Sequence, residues 1–183
     1  MRIIAGDARG RRIEAPDGRD TRPTLDRVRE NLFNMLQGEI AGSRVLDLFA
    51  GSGALSFEAL SRGAETAWLA DHDRKAIAVE KKNAQALGYS ERVKTFQGDW
   101  RKALEETENA GMLFDLVFLD PPYAMLDLRE VFAELIPVLG ENALIVLEHE
   151  AGKKPETGEG FECFRERNWG FCGVSFFRRT GNP

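Results

Sequence analysis

Val45-Leu46-Asp47-Leu48-Phe49-Ala50-Gly51-Ser52-Gly53 is an apolar run with an acid near its end, followed by two glycines one residue apart. A short apolar run bounded by turn residues reads as a strand buried on both faces, and the glycines as a tight turn that delivers the chain into a helix. That strand-turn-helix unit opens a parallel α/β sheet with crossover helices, and the flanking sequence repeats it. Further strands are expected at residues 66–70, 93–97, 116–119 and 143–147, with the first at 44–48. Helices are expected at 52–62, closing on Gly63, at 73–87, capped by Asp73 and closed by Gly88, and at 126–136. Upstream, 2–5 and 11–14 can pair as a small hairpin across 6–10. A helix then runs from 24 to 36, with Leu25, Val28, Leu32, Phe33 and Leu36 on one face. Downstream, a polar loop at 152–160 leads to 161–169 and 174–178, an antiparallel pair turning at 170–173.

The chain has 183 residues, 43% hydrophobic and 30% charged, which fits one compact α/β unit able to build a core without metal or disulfide staples. No apolar run approaches the ~18 residues of a membrane span, and the opening residues lack the apolar stretch of a signal peptide. A cytoplasmic protein is expected, with Cys163 and Cys172 reduced and no metal site. The net charge of -5 argues, taken alone, against a polyanionic partner. It is unevenly spread. Residues 1–30 hold eight arginines against six acids, whereas the other 153 hold 17 basic and 24 acidic groups. Arginine suits phosphate and stacks on bases, so a nucleic-acid grip and a solvated, salt-bridged extension both remain open for this segment.

Four places carry chemistry. Gly51 and Gly53 allow close backbone approach to a ligand beside Phe49, Ala50 and Ser52, and the following helix offers free N–H groups to an anion. The dinucleotide fingerprint is incomplete, since Ser56 stands at its third glycine, and Asp47 would repel a pyrophosphate. A ligand with both a carboxylate and an ammonium fits better. Asp71, about 20 residues on and at a strand end, stands where a doubly wound fold holds a ribose, with Asp73 as helix cap and His72 exposed. Asp99 could accept from an adenine amino group or cap the next helix; the spacing allows both. Asp120-Pro121-Pro122-Tyr123 closes another apolar strand. Prolines fix the backbone and leave a carbonyl without a competing N–H, so Asp120 and the Pro121 carbonyl can face an NH2 group while Tyr123 offers a face for stacking.

These motifs resemble the class I S-adenosylmethionine-dependent methyltransferases that act on exocyclic amines. More narrowly, the chain resembles the RsmD family, which methylates the N2 amine of a guanine in small-subunit (16S) ribosomal RNA. The resemblance rests on Arg2-Ile3-Ile4-Ala5-Gly6 with Arg9-Gly10-Arg11-Arg12, on Arg22-Pro23-Thr24 with Asp26-Arg27-Val28-Arg29-Glu30, on 46–55, and on Asp120-Pro121-Pro122-Tyr123. It implies a Rossmann-like, mostly parallel seven-stranded sheet with an antiparallel C-terminal strand, preceded by an arginine-rich extension over residues 1–40, with the methyltransferase core over 41–183. It also implies S-adenosylmethionine as cofactor. Asp47, Phe49, Ala50, Gly51, Ser52 and Gly53 would line its methionine end, Asp71 its ribose and Asp99 its adenine. Asp120, Pro121, Pro122 and Tyr123 would hold the target base, and Arg9, Arg11, Arg12 and Arg22 the RNA, with the 16S rRNA presented in a small-subunit ribosomal particle. Three positions depart from the family pattern: Ser56 for glycine, Asp71 for glutamate, and Trp169-Gly170 for a tyrosine-glycine pair. The rival readings are an adenine-N6 methyltransferase acting on RNA or DNA, a protein glutamine methyltransferase, for which asparagine would be usual at Asp120, and a non-catalytic RNA- or nucleotide-binding module that keeps the fold.

Overall fold

The computed structural model describes residues 1–16 and 23–181. Its centre is a seven-stranded sheet formed by β1 (Arg44–Asp47), β2 (Thr66–Asp71), β3 (Val93–Gln97), β4 (Phe114–Leu119), β5 (Leu139–Glu150), β6 (Phe161–Trp169) and β7 (Cys172–Arg179), in the order β3-β2-β1-β4-β5-β7-β6. β1 to β5 pair in parallel, and β7 runs antiparallel to both β5 and β6. The helices are α1 (Pro23–Met35), α2 (Gln37–Ile40), α3 (Ala54–Ser61), α4 (Arg74–Leu87), α5 (Trp100–Asn109) and α6 (Arg129–Leu135).

Successive residues of each central strand feed different layers, as the pleat requires. Val45, Leu69, Leu116, Phe118 and Val146 pack with α1, α3 and α4, whereas Leu46, Ala70, Val117, Leu119 and Leu147 pack with α5 and α6. Helices therefore cover both faces, which explains why the strands read as continuous apolar runs. The N-terminal extension lies on the first face: Ile3, Ala8 and Ile13 share its hydrophobic cluster. Among the described residues no helix is long and apolar enough to cross a membrane.

The punctuation read from the sequence holds for α4, whose Asp73 caps the Lys75 N–H and whose Gly88 closes it in a left-handed conformation at φ 79°. Four expectations need revision. α3 starts at Ala54, not 52, because Gly51 and Gly53 are both left-handed, at φ 59° and 75°. β5 reaches from Leu139 to Glu150, well beyond 143–147, with exposed Glu141 and Asn142 hiding its first half from an apolar count. α5 is a full helix where the sequence offered only a possible cap at Asp99; its charged surface masks Trp100, Ala103, Leu104 and Thr107, which are buried at helical spacing.

The fourth concerns the hairpin at 2–5 and 11–14, which reduces to one antiparallel bridge, Arg2 to Arg12. Its ladder is short because the next two N–H groups turn to α3: Ile4 and Ala5 donate to the Glu58 carboxylate at 2.8 and 3.0 Å. Ser61 continues the attachment, donating to the Ala5 carbonyl and accepting from the Ala8 N–H. A Cβ on Gly6 would lie 1.8 Å from the Ser61 carbonyl oxygen, so only glycine allows this docking.

Candidate active site

The strand order reverses between β1 and β4, since the chain runs outward through β1, β2 and β3 and then returns to β1's other side. In open α/β sheets ligands bind at the carboxyl ends of strands beside such a switch point. Here those ends carry Asp47 on β1, Asp71 on β2, Gly98 and Asp99 after β3, Asp120 after β4 and Glu148 on β5. Two cavities open along this edge. One of about 180 Å³ lies between the extension and the glycine turn, lined by Arg29, Asp47, Phe49, Ala50, Ser52, Asp120 and Glu148 among others. The second, of about 590 Å³, is lined by Phe49, Asp71, Gly98, Asp99, Asp120, Pro121, Pro122, Tyr123 and Glu148 among others. Phe49, Asp120 and Glu148 border both.

Asp47 is buried at 1% exposure, and its Oδ2 accepts a 3.0 Å hydrogen bond from the Ser56 hydroxyl. Ser56, the departure from glycine, thus helps to hold the Asp47 carboxylate. Asp47 Oδ1 is buried with no hydrogen-bond partner among the described residues. Burial pushes its carboxyl up to about 7; the Asp71 charge adds to that, while the Ser56 hydroxyl and the Phe49 N–H oppose it. Glu80 of α4 is fully buried, with no hydrogen-bond partner for either oxygen among the described residues. Burial, then repulsion from Asp47 and Asp71, pushes its carboxyl up to about 9. A buried group without a counter-charge takes its neutral form in this way.

Asp71 holds the turn in shape. Its Oδ2 accepts the Gly51 N–H at 2.9 Å and its Oδ1 the Asp73 N–H at 2.9 Å, while the His72 ring is largely exposed beside it. A carboxylate has about four acceptor positions, so two remain for hydroxyl groups of a ligand. Gly53 matters for packing as well as for the bend, since a Cβ there would lie 2.5 Å from Phe57 and 2.7 Å from Leu69. Asp99 caps α5 by accepting the Lys102 N–H at 3.1 Å and also stands at the larger cavity, so its capping role and a place on the cavity wall coexist. Tyr123 is 42% exposed, and its hydroxyl lies 3.4 Å from Glu148 Oε1. Burial raises the Glu148 carboxyl above its ordinary range, against hydrogen bonds from Cys172 and Tyr123.

The arginines divide. Arg9 and Arg12 are exposed. Arg11, exposed as well, also donates to the carbonyls of Ala86 and Leu87, the latter at 3.1 Å, and so caps the C-terminus of α4. Arg22 lies outside the described residues.

Sequence reasoning missed Ser56, Glu80, Asn83, Arg29 and Glu148. Asn83 of α4 is buried and joins the extension to the glycine turn: it accepts the Glu14 N–H and donates to the Glu14 and Ser52 carbonyls, all within 3.0 Å. Glu148 had a readable signal, an acid at the end of an apolar strand like Asp47, Asp71 and Asp120. The others sit on helices, where an inward polar residue looks like an outward one.

The model of the family described as "Conserved hypothetical protein 95" matches residues 1–178. A Haemophilus influenzae protein named ribosomal RNA small subunit methyltransferase D is 38% identical over 182 residues, covering 97% of this chain and 93% of the other. Its namesake from Escherichia coli K12 is 36% identical over 188 residues, covering 98% and 90%. Among solved structures, the yhhF protein of Escherichia coli superposes with a TM-score of 0.84 at 35% identity, covering 100% of this chain and 99% of that one.

Proposed function

The chain belongs to the RsmD family, and from that premise we propose that it methylates the exocyclic N2 amine of a guanine in 16S ribosomal RNA within a small-subunit particle, using S-adenosylmethionine. The observation that carries this reading is the placement of Asp120-Pro121-Pro122-Tyr123 at the switch point, where Asp120 borders both cavities and so can face cofactor and base together.

The residues fit the cofactor. Asp47 Oδ1, a buried acceptor without a donor, suits an ammonium group, and the turn of Phe49, Ala50, Gly51, Ser52 and Gly53 would wall the methionine end. Asp71 would take the ribose hydroxyls with its two remaining acceptor positions, and Asp99 the adenine amino group. When bound, the cofactor would supply a methyl group made electrophilic by a positively charged sulfur, which would take back the electron pair of the methyl–sulfur bond as that bond breaks.

The chain's own residues prepare the amine. The nitrogen lone pair of a guanine amine is delocalised into the ring. Asp120 and the Pro121 carbonyl would accept its two hydrogens and draw nitrogen toward a tetrahedral form, with one proton leaving through Asp120 to solvent as the new N–C bond forms. Pro121 and Pro122 hold these acceptors in fixed directions, so positioning and electrostatics carry the catalysis. The base must leave its stack to arrive, and the exposed face of Tyr123 would receive it. Arg9, Arg12 and Arg22 would contact phosphate, which sets affinity and register.

Asp120→Ala is expected to cut methyl transfer by about 10³-fold or more, the range of a lost proton acceptor and electrostatic partner. Affinity for S-adenosylhomocysteine, measured by titration calorimetry, should stay within a few fold. Equal loss of both would make Asp120 a structural residue and defeat the reading.

A further inference from the structure

Arg29 of α1 is 5% exposed, and its Nε is buried with no hydrogen-bond partner among the described residues. The rest of the guanidinium is poorly compensated for a buried cation. Nη2 donates to the Arg2 carbonyl and, at 3.2 Å, to half-exposed Asp26, while Nη1 meets only the Met1 thioether at 3.2 Å, and sulfur is a weak acceptor. Glu58, the nearby acid, is already committed to Arg62 and to the Ile4 and Ala5 N–H groups.

Arg29 lines the same cavity of about 180 Å³ as Asp47. Two residues of its lining therefore each hold a buried polar atom with no partner among the described residues, a donor on Arg29 and an acceptor on Asp47, and the two do not meet each other. A buried polar group left unmade costs roughly 1–3 kcal/mol, more when charged. A cavity with one such group of each charge is complementary to a zwitterion, an ammonium and a carboxylate joined by one carbon. The extension is also tied to this place by Asn83, which bonds Glu14 and Ser52 together.

We propose that Arg29 binds the α-carboxylate of S-adenosylmethionine while Asp47 binds its ammonium, so that the N-terminal extension completes the cofactor site. This rests on the cofactor assignment above. It gives the extension a second duty: whatever displaces it, RNA included, changes cofactor affinity.

Titration calorimetry on the full chain tests it with two ligands that differ only in the carboxylate, S-adenosylhomocysteine and its decarboxylated analogue. The wild-type protein should bind the first roughly 10–100-fold more tightly, the size of a charge-assisted hydrogen bond. Arg29→Gln, whose amide can still donate to the Arg2 carbonyl, should lose most of that factor for S-adenosylhomocysteine and under about threefold for the analogue. Equal weakening of both ligands, or wild-type discrimination kept by the variant, overturns the proposal. Should Arg29→Gln fail to fold, Arg29→Lys and the wild-type pair still decide, because equal wild-type affinity for the two ligands also overturns it. A wild-type protein that binds neither ligand would instead bring down the cofactor assignment, and Arg29's role with it.

Discussion

The strand-end edge and the arginine-rich extension use charge in opposite ways. Along the edge, acids at the ends of β1, β2, β4 and β5 are gathered by topology into one concave place, and their side chains face cavities. In the extension, by contrast, three of the six described arginines spend their donors on carbonyls: Arg2 on Gly10, Arg11 on Ala86 and Leu87, Arg29 on Arg2. A local excess of arginine thus measures how a segment is fastened as much as what it grips. Of the expected RNA contacts among the described residues, only Arg9 and Arg12 keep the outward, uncommitted character of a phosphate grip.

Disrupting the fastening should produce the largest change. Gly6→Ala places a methyl group against the Ser61 carbonyl at a left-handed position, and should cost about 3 kcal/mol. That lowers Tm by roughly 6–12 °C in calorimetric melts. A change below about 2 °C would mean that the extension is loosely held.

A tenfold effect is expected from pH at the strand-end edge. Asp47 has a carboxyl pushed up to about 7 with Asp71, Glu80 and the Ser56 hydroxyl around it, so an ammonium ligand must bind its ionised form. Affinity for S-adenosylhomocysteine should fall toward tenfold as pH drops from 7.5 to 6, with proton release on binding. Asp47→Asn should bind weakly at both pH values and lose that dependence.

Separating the arginines comes next. Arg9→Ala with Arg12→Ala should leave Tm within about 1 °C, weaken RNA binding several-fold and lower the salt slope by about two. Arg11→Ala should do the reverse, lowering Tm by roughly 2–4 °C through the lost α4 cap, with little change in salt slope. Identical behaviour of the two variants would erase the distinction between fastening and grip.

A slope of stability with pH, which a single melt at neutral pH would not show, is expected at Glu80. Its carboxyl, near the ordinary carboxylate range when unfolded and pushed up to about 9 when folded, keeps its proton in the native state. Wild-type stability therefore declines as pH rises from about 4.5 toward 9. Glu80→Gln removes that slope, so its Tm relative to the wild type should rise steadily from pH 5 to pH 8.5. A constant difference would mean that Glu80 is ionised in the folded protein.

How far the sequence reaches follows from the same contrast. Parallel strands buried on both faces must be apolar, so β1 to β4 announced themselves, and their terminal acids stood out against that background. Asp73 and Gly88 marked α4 because caps have strict local chemistry. The short hairpin could not be foreseen, since Glu58, more than fifty residues away, takes two of its N–H groups. Nor could Arg29, Glu80 and Asn83, because a single helical sequence does not say whether a polar side chain turns to water or to a cavity. The Trp169-Gly170 departure sits at the end of β6, where Trp169 packs against the core beside β7; the tail completes the sheet.

The central claim is the identity of the methylated atom. Radiolabelled S-adenosylmethionine offered with unmethylated small-subunit particles, naked 16S rRNA and duplex DNA, followed by digestion to nucleosides, reads it directly. Label in N2-methylguanosine from the small-subunit RNA is the predicted result, while label in N6-methyladenosine, or only in the DNA, would contradict the account.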